Sequence, residues 1–247
     1  MSYSVPSDAD ERAIAIDGAG TLGRRIASVY AAGGSDVRVF DLSEDQREAA
    51  RQYVEEQMEP VRTMLGINRS RTGEVTASGD LAEAVRGAWM VIEAVPEKLE
   101  LKRKIFAQLD ELADGDAILA SNSSSIPTSQ MIDNVGHPER VLNTHYQQPP
   151  ELNSVELMSC GRTDSRVVDG LMEKIPQYGL VPFRVRRESD GFIFNRVWAA
   201  IKRECLMVVE EGVAASEDVD GMWKIFTAPG IPPFRLQTSL HGAIIAG

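Results

Sequence analysis

The stretch Ala13-Ile14-Ala15-Ile16-Asp17-Gly18-Ala19-Gly20-Thr21-Leu22-Gly23 decides the fold. Residues 13–16 form a compact apolar run, the pattern of a buried strand. Gly18, Gly20 and Gly23 follow in GxGxxG spacing. Residues 22–32 then read as a helix closed by Gly33-Gly34. Each glycine has a physical task. Gly18 makes the tight turn, Gly20 lets backbone approach a pyrophosphate, and Gly23 lets the helix pack closely on the strand. The N–H groups around Ala19, Thr21 and Leu22 then sit at a helix N-terminus, where phosphates bind.

A glycine motif alone is weak, and the acid downstream strengthens it. Residues 37–40 read as a second strand, and Asp41 follows it, 21 residues beyond Gly20. The motif wants an acid about 20 residues on, to accept hydrogen bonds from ribose hydroxyls and repel a 2′-phosphate. The expected cofactor is therefore NAD rather than NADP. The structural alternative is a glycine turn with an incidental acid at Asp41. Asp17 is out of pattern, because the position before the first glycine is usually apolar. It either opposes a bound pyrophosphate or is a locally satisfied acid with no role.

The rest of the composition bounds the answer. The 247 residues allow one large domain or two modest ones, and 43% hydrophobic content with 26% charge suits a globular protein. The formal net charge of −11 argues against a nucleic-acid partner. Cys160 and Cys205 are too few for a disulfide framework or a Cys-rich metal site, and both read as buried apolar residues. No apolar run approaches the roughly 18 residues of a membrane span. Residues 1–12 are polar and acidic and read as no leader, so the expected location is cytoplasmic.

Strand-like and helix-like segments alternate down the chain. Ser43 caps a helix through about Leu65, residues 89–95 read as a central strand, and residues 97–112 are amphipathic. Further strands are expected at 117–120, 141–145, 155–158 and 181–185, with a helix at 165–178. This order predicts an α/β fold, a doubly wound and mostly parallel sheet of Rossmann type covered on both faces. After Ser189 the pattern becomes helical, with one long helix at 192–212 and another from Ser216 to about Phe226. The expected division is residues 1–187 and a small all-α domain at 188–247, broken by prolines at 229, 232 and 233.

Polar residues gather where the later strands end. Ser121 to Ser125 follow one strand, His145 ends the next, Glu156 lies in the following apolar stretch, and Asn195 opens the long helix. Ligands of open α/β sheets bind beyond the carboxyl ends of the strands. A His oriented by a carboxylate is the simplest acid–base unit. Each residue also has a structural reading. His145, one of three His residues with His137 and His241, could be a packed core residue, the serines a helix cap, and Glu156 a salt-bridged acid.

Several segments together resemble the NAD-dependent 3-hydroxyacyl-CoA dehydrogenases. They are Gly18 to Gly23, Val91-Ile92-Glu93-Ala94-Val95-Pro96-Glu97 with Leu101-Lys102, Leu119 to Ser125, Val155-Glu156-Leu157, and Gly191-Phe192-Ile193-Phe194-Asn195-Arg196. The resemblance implies that His145 is the general base, Glu156 its partner, and Ser124 and Asn195 the groups that hydrogen-bond the substrate oxygen or the imidazole. It implies cofactor contacts from Glu97, Lys102, Ser124 and Gln148, the last two beside the reacting centre. Glu97 and Lys102 read equally as a helix-terminal acid and a surface lysine. The resemblance further implies a 3-hydroxyacyl thioester substrate, a place in fatty-acid metabolism, and a homodimer built through the 192–212 helix.

The chain also departs from the family. It reads His145-Tyr146-Gln147-Gln148-Pro149-Pro150, with Gln148 where the family has Asn, and the span to Glu156 is one residue shorter. These changes open a second expectation, a non-CoA hydroxy acid or a specialised-metabolism intermediate. Arg69 and Arg71 stand in a shortened segment; they read as CoA-phosphate contacts or as a solvated basic loop. The residues after Leu236 do not read like the family, which predicts a short, incomplete helical domain. A third expectation follows, a cofactor-binding relic without chemistry.

Overall fold

In the computed structural model, which describes residues 3–227, the opening apolar run becomes β1 (Ile14–Asp17) and the glycine turn leads into α1 (Thr21–Ala32). Then come β2 (Val37–Phe40), α2 (Glu44–Leu65), β3 (Val75–Ser78), α3 (Leu81–Val85), β4 (Met90–Glu93), α4 (Leu99–Leu112) and β5 (Ile118–Ser121). The chain continues with β6 (Val141–Gln148), β7 (Leu152–Ser159), α5 (Ser165–Lys174) and β8 (Val181–Val185). Local chemistry sets the ends. Ser43 Oγ accepts from the Gln46 N–H at 3.3 Å, and α2 ends on Gly66 in the left-handed region at φ 62°.

The strands form one eight-stranded sheet in the order β3-β2-β1-β4-β5-β6-β7-β8. Side chains alternate across it, so β1 feeds two cores. Ile14 and Ile16 pack with Ile26 and Val29 of α1 and Val54 of α2. Ala15 faces the opposite way, with Val91, Leu119 and the α4 residues Phe106 and Leu109. A sheet buried on both faces is what the near-continuous apolar strands require. The winding direction reverses between β1 and β4, which are parallel neighbours with Asp17 opposite Glu93. A crevice therefore opens beyond their carboxyl ends.

The sheet differs from a purely alternating pattern at β6 and β7. These pair antiparallel, because only Pro149-Pro150-Glu151 joins them and a parallel crossover needs a dozen residues or more. Both strands outrun the apolar stretches at 141–145 and 155–158, since cross-strand hydrogen bonds carry them through polar residues. His145 consequently lies inside β6 rather than at its end. The helix expected at 165–178 stops at Lys174 and tightens to a 3₁₀ turn over Ile175–Tyr178, where Pro176 has no N–H to donate. The serines at 121–125 cap no α-helix; only a 3₁₀ turn, Thr128–Gln130, follows them.

The chain divides into two compact units, Met1–Asn195 and Arg196–Gly247. The described residues of the second are helical, with α6 (Phe194–Glu210) entering it and α7 (Ser216–Thr227) inside it. Leu206, Val213, Met222 and Phe226 are exposed there. The proline-rich break at 229–233, the segment after Leu236 and His241 lie outside the described residues. Among the described residues no helix is long and apolar enough to cross a membrane.

Two glycines of the turn separate fold from binding. A Cβ on Gly23 would stand 1.9 Å from the Gly18 carbonyl oxygen, a backbone atom that cannot swing aside. A Cβ on Gly20 would meet nothing within 4 Å. Gly23→Ala is expected to cost about 3 kcal/mol in urea unfolding, as overpacking does. Gly20→Ala is expected to leave stability within about 0.5 kcal/mol. It should weaken NADH binding by about tenfold or more in a fluorescence titration, about 1.4 kcal/mol, because the methyl enters the space a pyrophosphate uses.

Candidate active site

The crevice beyond β1 and β4 is a cleft of about 1150 Å³, lined by Gly18, Gly20, Leu22, Asp41, Glu97, Lys102 and Ser124 among others. Ala19 and Gly23 are buried and Thr21 is exposed, and none of the three is in the cleft lining. Asp41 holds the turn: its Oδ2 accepts from the Ala19 N–H at 2.9 Å and its Oδ1 from the Ser43 N–H at 2.9 Å. The half-buried carboxylate stands in the cleft wall with lone pairs left for ribose hydroxyls. The donor set fits NAD. The cradle is bare backbone where side chains would intrude, the helix N-terminus supplies N–H groups, and an acid stands at the ribose position.

Beneath the cleft runs a buried ionic network. Glu93, fully buried at the end of β4, has Oε1 2.6 Å from Lys102 Nζ and accepts from the Val95 N–H at 2.9 Å; its Oε2 accepts from Ser121 Oγ at 2.6 Å. Lys102 also lies 3.2 Å from Glu97 Oε2. Glu97 in turn accepts hydrogen bonds from the hydroxyls of Ser123 and Ser125. Burial works against ionisation of Glu97, but the two serines and the Lys102 ammonium hold its carboxyl below the ordinary range. Lys102 is thus not a surface lysine; it is 1% exposed and bridges two acids. The role of Glu93 was missed in the sequence, although an acid closing an apolar strand always needs a partner.

Asp17 sits beside this network, 2% exposed at the end of β1, in the cleft wall. Among the described residues its Oδ2 has no hydrogen-bond partner. Burial, with added repulsion from Glu93 and Asp41 and partial relief from Lys102, pushes its carboxyl up to about 7.

The second cluster lies on the antiparallel pair. His145 of β6 stands directly opposite Glu156 of β7, and Nδ1 is 2.8 Å from Glu156 Oε2, both side chains buried. Gln147 adds its amide to the same oxygen at 3.2 Å. Glu156 Oε1 accepts from the N–H groups of Ile193 at 2.7 Å and Phe194 at 2.9 Å. Those N–H groups converge because Gly191 and Phe192 both adopt positive φ, 72° and 55°. For Phe192 this is a strained conformation, held by burial of its ring 5.1 Å from the His145 imidazole. Burial opposes the charge on Glu156. His145 and the two backbone donors overcome that and hold its carboxyl below the usual range.

Asn195 and Ser124 are brought together, the amide of Asn195 donating to the Ser124 carbonyl at 3.0 Å. Gln148 is exposed at the end of β6, outside the cleft lining and outside this network. Arg69 and Arg71 are structural. Arg69 donates to the Gly33 carbonyl at 3.0 Å, and Arg71 pairs with Asp36 at 2.5 Å, at the amino end of β2 opposite the cleft.

Residues 13–189 match the family model of the 3-hydroxyacyl-CoA dehydrogenase NAD-binding domain, and residues 191–244 match that of the C-terminal domain. The second match passes Leu236, into residues that do not read like the family on their own. The lambda-crystallin homolog of Rattus norvegicus is 36% identical over 84% of this chain and 67% of its own. The structure of 5-formyl-3-hydroxy-2-methylpyridine 4-carboxylic acid 5-dehydrogenase, an NAD+-dependent dismutase, superposes with a TM-score of 0.85 at 32% identity, covering 95% of this chain and 78% of that one. That of Escherichia coli 3-hydroxybutyryl-CoA dehydrogenase gives 0.74 at 31% identity, covering 83% and 44%.

Asp17 has a measurable consequence for stability. Between pH 4 and pH 7 the unfolded chain releases this proton and the native state keeps it, so native stability falls as pH rises through that window. Asp17→Val is expected to stabilise the protein at pH 8 by up to about 4 kcal/mol more than at pH 4, read by urea unfolding at both values. An equal effect at the two pH values would contradict the buried, unpaired carboxyl.

Proposed function

The chain belongs to the 3-hydroxyacyl-CoA dehydrogenase family of NAD-dependent oxidoreductases, and from that premise we propose that it interconverts a 3-hydroxy acid and its 3-oxo form. The observation that carries the reading is the buried 2.8 Å contact between His145 Nδ1 and Glu156 Oε2. NAD, when bound, supplies the hydride acceptor. The protein's task is the proton. With Nδ1–H committed to Glu156, the tautomer is set and Nε2 is left as the acceptor. Nε2 takes the hydroxyl proton as the C3–H bond breaks and the C=O bond forms. Glu156, held ionised, stabilises the imidazolium that results. In reduction the same atom returns the proton. Ser124 and Asn195, already tied together, hydrogen-bond the substrate oxygen.

For the substrate we favour a compact hydroxy acid not carried on CoA. The supporting observations are the polar Gln147 and Gln148 at the end of β6, and Arg69 and Arg71 engaged in packing away from the cleft. The acid named for the pyridine carboxylate dehydrogenase is likewise small and carboxylated. The second reading is a 3-hydroxyacyl thioester, favoured by the family models themselves. Initial rates of NADH formation with 3-hydroxybutyrate, L-carnitine and 3-hydroxybutyryl-CoA separate the two. Turnover of the thioester alone would reverse the preference. The exposed apolar residues Leu206 and Val209 favour a homodimer through residues 192–212.

The role of His145 has its own test. His145→Ala is expected to lower kcat by about 10² to 10⁴-fold, the range of a lost general base, with the dissociation constant for NADH changed less than about twofold. Loss of NADH binding in that variant would overturn the assignment.

A further inference from the structure

The cleft floor carries an imbalance of charge. Lys102 is the cation among the charged groups that act on Asp17, and it is already shared between Glu93 at 2.6 Å and Glu97 at 3.2 Å. The other groups acting on Asp17 are both acids, Glu93 opposite it on β4 and Asp41 after β2. Neither guanidinium group of α1 is among the charges that act on Asp17, although Arg24 Nε is itself buried without a hydrogen-bond partner. Arg24 lies over the Tyr53 ring at 5.0 Å, and Arg25 pairs with Glu151. A carboxylate at Asp17 would be a buried charge with no cation to itself and no donor on Oδ2, facing two further acids. Such a group keeps its proton. The same carboxyl lies directly before Gly18 and lines the cleft that fits a dinucleotide, whose pyrophosphate brings two more negative charges.

We propose that Asp17 must be protonated for the dinucleotide to bind, so that cofactor binding takes up a proton and the affinity for NADH falls as pH rises past neutrality. The inference rests on the cleft being the NAD site and adds a property that the glycine turn alone would not have. Its sign follows from linkage. A ligand that adds negative charge beside a carboxyl raises proton occupancy in the complex above that of the free protein. The complex is then favoured at the lower pH. A neutral Asp17 also offers an O–H donor in place of a repelling charge.

The test is the NADH dissociation constant of the full chain by fluorescence titration at half-unit steps from pH 6 to pH 9. For the wild type it is expected to rise about tenfold or more, since uptake of one proton gives up to tenfold per pH unit. Asp17→Asn keeps the shape and a donor without a titrating proton. It is expected to bind as the wild type does at pH 6 and to show little change to pH 9. Should that variant fold poorly, calorimetry of the wild type at pH 7.5 in two buffers of different ionisation enthalpy reads the proton directly. Uptake on NADH binding supports the proposal and its absence overturns it. A flat wild-type profile, or an equal slope in Asp17→Asn, would overturn it while leaving the cofactor site intact. No NADH binding at any pH would refute both.

Discussion

One carboxylate organises the antiparallel end of the sheet. Glu156 receives four donors, from His145, Gln147, Ile193 and Phe194, and so fills its lone-pair directions while buried. Without those donors a charge at this depth would cost several kcal/mol. With them it stays ionised, fixes the His145 tautomer, and ties β6 and β7 to the turn that opens α6. The positive φ of Phe192 is the strain accepted to aim the two N–H groups. The His145–Glu156 pair and the backbone turn at 191–194 therefore share one anchor.

The cofactor end follows a similar logic with a different balance. Asp41 is satisfied by the glycine turn itself, and Glu93 by Lys102 and Ser121. These contacts fix the loop ends after β1, β2, β4 and β5, which converge on the cleft. Asp17, by contrast, is left without a hydrogen-bond partner on Oδ2 among the described residues. Strain at Phe192 and an unmatched carboxyl at Asp17 are places where the local rules yield.

Much of this was legible in the residues. The turn from Gly18 to Gly23, Asp41 at the end of β2, and the cap at Ser43 are local signals, and each sits where its spacing implied. His145 and Glu156 were legible as a pair only through the family resemblance, because 11 residues separate them and strand register joins them. The antiparallel turn at 149–151 was missed because apolar runs carry no direction. The burial of Lys102 was missed because its long side chain reaches inward from an amphipathic helix, and periodicity says nothing of a partner across the sheet. The partnerless state of Asp17 was also beyond reach, since it depends on where three other charges fall.

The most direct test of the central claim reads the proton between His145 and Glu156. Low-field proton NMR of the protein with NADH bound should show a downfield imidazole N–H resonance. It should vanish in His145→Ala and move upfield in Glu156→Gln, which keeps the shape but loses the charge. No such resonance, or one indifferent to Glu156→Gln, would contradict the account.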